Sequence, residues 1–139
     1  MTHATRFFGA SIVGLVLLGG YASAHHSTAM YDATKPLTLR GVVKQFRWIN
    51  PHVFVFVSVE APAGEEPPVW VFEASSPGNL TRLGWSRQSL PAGERVAVTF
   101  NPIRDGSNAG LCRKVDLLDK NMELTCAGAV NAGEKANLP

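Results

Sequence analysis

Apolar and polar residues alternate with a period of two in several short segments of this chain, the pattern of half-buried strands. Leu37 to Ile49 reads as a first strand, with Leu37, Leu39, Val43, Phe46 and Trp48 apolar and Gly41 predicting a bulge or bend. Asn50-Pro51 is a turn signal. His52 to Glu60 alternates most cleanly: Val53, Val55, Val57 and Val59 share one face, and His52, Phe54, Phe56, Ser58 and Glu60 share the other. That second face begins apolar and ends polar, so one end of it is expected to be covered or to bind something. Ala61 to Pro68 predicts a hairpin loop, and Val69 to Ala74 a third strand with Trp70 and Phe72 opposite Val71 and Glu73. Ser76-Pro77 has the form of an N-cap followed by proline at the first helical position, and Gly84 of a helix stop, so a short helix is expected between them. Trp85 is expected to plug the core. Arg95 to Phe100 and Leu111 to Leu118 predict two more strands, and Met122 to Thr125 a short sixth.

Three strands, one short helix and two or three further strands is the order of the OB-fold, a small partly open barrel. The predicted class is therefore all-β, a five- to six-stranded OB-like barrel with one short helix between strands 3 and 4. A generic β-sandwich is the competing arrangement, and the position of the helix favours the barrel.

Both ends of the chain break the pattern. Arg6, the apolar run Phe7 to Leu18 and Ala22-Ser23-Ala24 supply the basic start, short apolar core and small-x-small site of a cleavable signal peptide. The run is shorter than the roughly 20 residues of a membrane span. Residues 1–24 are thus expected to be removed, with no stable membrane span afterwards and a periplasmic or secreted address. Residues 25–36 then form an N-terminal arm, 37–126 the barrel, and 127–139 a flexible tail without periodicity. Cleavage would leave 115 residues, a single-domain size. It would also leave 12 basic and 11 acidic side chains. That balance argues against nucleic-acid binding, which calls for a concentrated basic face. In an oxidising compartment Cys112 and Cys126 are expected to pair.

A particular set of segments adds to this reading: His25-His26-Ser27, Trp48-Ile49-Asn50-Pro51-His52, Glu73-Ala74-Ser75-Ser76-Pro77, Gly84-Trp85 and Asp105-Gly106-Ser107. In these the chain resembles a family of small exported bacterial proteins, the "domain of unknown function 6152", over about Ala24 to Leu118. It departs from the family pattern in its two cysteines and longer tail. The resemblance implies an exported β-barrel domain and brings no established activity.

Candidate chemistry is sparse. Nucleophile-elbow, Walker, Rossmann and His-Glu-x-x-His patterns are absent, so a non-enzymatic module binding a small ligand or an exported protein partner is the leading expectation. Trp48, Asn50, Phe54, Phe56 and Glu73 are the candidate ligand-binding residues, with core packing as the alternative role of the aromatics. Glu73, an acid in an apolar strand, is expected to pair with Arg47, Arg82 or Arg113. The second reading is a copper protein. Cleavage after Ala24 would give His25 a free α-amine beside its imidazole, and His26 or His52 could complete a nitrogen site of the kind Cu(II) favours. Met30 and Met122 could offer thioethers to Cu(I). The alternative role of His52 is structural, locking the turn that it follows.

Overall fold

The computed structural model describes residues 28–126. The expected leader of residues 1–24, His25, His26 and the expected tail of residues 127–139 lie outside the described residues. Six strands form in chain order: β1 (Leu37–Arg47), β2 (Phe54–Val59), β3 (Val69–Glu73), β4 (Arg95–Pro102), β5 (Ala109–Leu117) and β6 (Met122–Thr125). A single short helix, α1 (Pro77–Arg82), lies between β3 and β4. The sheet order is β3-β2-β1-β4-β5-β6, and a parallel β3–β5 pairing closes the first five strands into a barrel. This is the OB-like barrel that the strand and helix order predicts, with β6 as an added strand on β5. Closure gives each of β1 to β5 a partner on both sides, and β6, paired only with β5, forms the one edge strand among the described residues.

The period-two pattern decides which side chains enter the barrel. Val53, Val55, Val57, Phe72, Val96, Val98, Phe100 and Val115 are fully buried. Trp85 plugs the core as expected, its indole N–H donating to the Thr125 carbonyl at 2.9 Å. The Ser76 side chain caps α1 by accepting from the Asn79 amide, and Gly84 follows the helix at a φ of +87°, which favours glycine. Cys112 on β5 is joined to Cys126 just beyond β6.

One local expectation shifts. Gly41 does not mark the bulge; the β1–β2 register slips between Val43 and Gln45, at Lys44. Gly41 pairs with Val59 on one side and Val96 on the other, where a Cβ would collide with the Ser58 carbonyl. Close approach of two strands is what requires glycine there.

The described part of the arm is more ordered than its sequence suggests. Thr28–Met30 makes a 3₁₀ turn, and Tyr31 bridges to Ile103. The Asp32 amide donates to the Pro102 carbonyl at 2.8 Å, and the Arg104 amide to the Met30 carbonyl at 2.9 Å. The arm therefore continues the line of β1 along the end of β4.

Candidate functional site

Strand register assembles a row of outward side chains at one end of the barrel. Arg47 is opposite Phe54, Phe54 opposite Glu73, Glu73 opposite Leu111, and Leu111 opposite Asn101. A second row runs Gln45, Phe56, Val71, Ala109. Opposed residues share a face, so Phe54, Phe56 and Glu73 stand together on the outside of β2 and β3. Both phenylalanines are half-buried there.

Glu73 is the hub. One carboxylate oxygen accepts a 2.7 Å hydrogen bond from the Tyr31 hydroxyl, and the other is in direct contact with Nδ1 of His52. The side chains of His52 and Glu73 are 32% and 20% exposed. The partners of Glu73 are thus a phenol from the arm and an imidazole from the β1–β2 turn, and not the expected arginines. Burial, then the hydrogen bond to Glu73 and its charge, push the Tyr31 phenol well above its ordinary value of 10.0. A carboxylate only accepts, so Nδ1 of His52 carries the hydrogen, and a neutral ring then has its lone pair on Nε2.

The local sequence explains the placement. The Asn50–Pro51 peptide bond is cis, in the turn just before His52. The Val53 amide donates to the Ser75 carbonyl, and the Ala74 amide to the Val53 carbonyl. These bonds extend the β2–β3 ladder past Glu73 and hold His52 beside it.

The other candidates are spread more widely. Trp48 is half-buried against the core, its ring 5.7 Å from that of Phe46, and its carbonyl accepts from Arg87 at 3.1 Å. It belongs to the packing rather than to the Phe54–Phe56 face. Asn50 is exposed in the turn. Met30 on the arm and Met122 on β6 are both exposed. His25 and His26 lie outside the described residues, and among those described no group of three His, Cys, Asp or Glu could hold a metal. An open hollow of about 450 Å³ lies elsewhere, on the outside of β1, β4, β5 and β6, lined in part by Arg40, Asp116 and Glu123. Lys114 pairs with both of those acids, so much of the charge at its rim is already neutralised.

Two residues that sequence reasoning missed belong to this end of the barrel. Tyr31 is one of them; the available signal was a lone aromatic ring in an arm without strand or helix periodicity. Asn101 is the other. It is 3% exposed on the same row as Glu73, and its side-chain oxygen has no hydrogen-bond partner among the described residues.

Fold and site together define an OB-like barrel with a polar hub on its outer wall. The chain belongs to the family of unknown function DUF6152, whose model matches residues 13–114. No curated protein and no solved structure matches it.

Proposed function

We propose that this protein is an exported, non-enzymatic binding module whose ligand face is the outside of β2 and β3. The carrying observation is the register that sets Phe54 and Phe56 in line with Val71 and Glu73, beside His52 and Tyr31. Half-buried aromatic rings offer an apolar platform, and a hydrogen-bonded carboxylate fixes the polar end of a ligand. That combination suits a small molecule with one flat apolar face and one hydrogen-bond donor. Export is supported by the leader pattern of residues 1–24 and by the cystine, which suits an oxidising compartment. The test is an amide-resolved NMR titration with cellobiose, N-acetylglucosamine and a tyrosine-containing tripeptide as probes. Shifts gathered on Phe54, Phe56, Val71 and Glu73 are the expected result. Shifts scattered over the barrel, or none with any probe, would remove the proposal.

One observation favours the copper reading as a second possibility. Ligand histidines commonly donate their other ring N–H to a carboxylate, and His52 is so arranged on Glu73. The arm is tied down at Met30 and Tyr31, so a mature His25 would start within about 20 Å of Tyr31. Cu(II) titration of the processed protein, followed by EPR, tests it. A nitrogen-rich signal that is lost when one residue precedes His25, and changed in His52→Ala, is required. Equal weak binding by all forms rules the site out.

A further inference from the structure

The pole of the barrel formed by the β1–β2 turn, α1 and the segment after it has an unusual charge. No acidic residue occurs between Ala74 and Gly93, nor between Leu37 and Val59. Arg47, Arg82 and Arg87 all lie at this pole and are exposed. No carboxylate pairs with any of them among the described residues. Two are instead held by neutral acceptors: Arg82 donates to the Asn79 side-chain oxygen at 2.7 Å, and Arg87 to the Trp48 carbonyl at 3.1 Å. Such bonds fix a guanidinium in place without cancelling its charge and leave it further N–H donors.

Two large aliphatic side chains stand among these cations. Ile49 is 41% exposed and Leu83 42% exposed. The segments that carry them meet over the core, where the rings of Phe46 and Trp85 lie 6.0 Å apart. The far end of β2 is the reverse. Its loop to β3 carries Glu60, Glu65 and Glu66, all exposed and without ion pairs among the described residues. β2 separates the two ends by about 20 Å. The barrel thus has one arginine pole, at whose margin the Glu73 carboxylate is held by Tyr31 and His52, and one glutamate pole, although the whole chain is close to neutral.

We propose that the arginine pole docks on an anionic lipid surface, with the guanidiniums on lipid phosphates and Ile49 and Leu83 in the headgroup layer. Arginine forks match phosphate oxygens in pairs. Aliphatic side chains enter an interfacial layer one by one, without a complementary pocket. The glutamate pole is repelled by the same surface, so the charge distribution orients approach as well as attracting it. This inference does not depend on the ligand face of β2 and β3.

The test uses the full chain isolated as the cell processes it, sedimented with vesicles of phosphatidylcholine alone or with one-third phosphatidylglycerol. An apolar leader left in place would bind both kinds, so the readout is the anionic-to-neutral ratio. A basic residue at an anionic surface contributes roughly fivefold. Arg47→Gln/Arg82→Gln/Arg87→Gln should therefore cut the ratio roughly 100-fold. The double variant that keeps Arg87, and with it the bond to Trp48, should cut it roughly 25-fold. Glu60→Gln/Glu65→Gln/Glu66→Gln should not lower it. Equal sedimentation with both vesicles, or a triple arginine variant that behaves as wild type, overturns the proposal. So does a head-to-tail oligomer that both triple variants dissolve and that never partitions onto vesicles.

Discussion

Two places on the outside of the barrel hold one titratable side chain between two others. At the first, Glu73 joins Tyr31 from the arm and His52 from the β1–β2 turn, across 42 and 21 residues of chain. At the second, Lys114 on β5 joins Asp116 on its own strand and Glu123 on β6. The first is partly buried and ties three separate segments together. The second is solvated, and its strands are already paired along the β5–β6 ladder and cross-linked by Cys112–Cys126. Similar partner counts therefore carry different weight. Polar contacts at the Glu73 corner join segments that no disulfide and no long strand ladder ties together, whereas those at the Lys114 corner decorate a joint already made.

Removing the cross-link is the severest way to test this contrast. The disulfide spans 14 residues of sequence, and cross-links of that length contribute about 3 kcal/mol in the chain-entropy model. Cys112→Ser/Cys126→Ser should lose about that much in urea denaturation. The Tyr31–Glu73 contact should persist in the folded variant. A loss at the arm equal to that at β6 would mean that the two corners are one cooperative unit.

Glu73→Ala comes next. It removes the acceptor common to Tyr31 and His52, and a hydrogen bond to a charged group is worth about 2 kcal/mol. The expected signature is local as well as global: faster exchange of the Asp32 amide, which is bonded to Pro102. Unchanged exchange there would show that the backbone bridge at Ile103, not the carboxylate, holds the arm.

Tyr31→Phe is milder, at about 1 kcal/mol, because the ring keeps its packing. The phenol also gives a pH test. Its pKa is raised in the folded protein, so the native state keeps a proton that the unfolded state releases above 10.0. That stabilisation is complete below 10.0 and is lost as pH rises toward the folded value. The chain has two tyrosines, and Tyr21 falls in the segment expected to be cleaved, so in a protein processed after Ala24 tyrosinate absorbance reports Tyr31 alone. The absorbance should stay flat through the ordinary range and rise only higher. Glu73→Gln should move the rise downward without restoring 10.0, since burial is the larger cause. An ordinary titration in the native protein would mean that Tyr31 is not held on Glu73.

The same contrast explains what the sequence could reveal. Strands are legible because their period is local: the valines at 53, 55 and 57 declare a buried face without knowledge of any partner. The Ser76-Pro77 cap, the Gly84 stop and the Trp85 plug are legible for the same reason. The cysteines were legible by count, as the two of the chain, and by the oxidising compartment that the sequence leads one to expect. The Glu73 hub was legible only by half. An acid in an apolar strand announces a partner, but which one depends on barrel closure and on the path of the arm. Charge alone suggested arginine; register and the arm supplied tyrosine and histidine. Asn101 gave no signal, because nothing local to it foretells burial on an outer face.

Lys114→Ala probes the other side of the comparison and should do least. The Lys114 ammonium is raised above its ordinary value by hydrogen bonds to Glu123 and then Asp116, which invites the view that it fastens β6 to β5. Its side chain and both partners are more than 30% exposed, however, and solvated pairs repay little of the side-chain entropy they immobilise. Backbone pairing from Leu117–Met122 to Lys114–Thr125, the Cys126 amide on the Arg113 carbonyl and the cystine all remain in the variant. The urea midpoint and the exchange of β6 amides should both stay at wild-type values in moderate salt. If β6 loosens selectively, the Lys114 cluster is a fastening after all, and the two corners differ in degree rather than in kind.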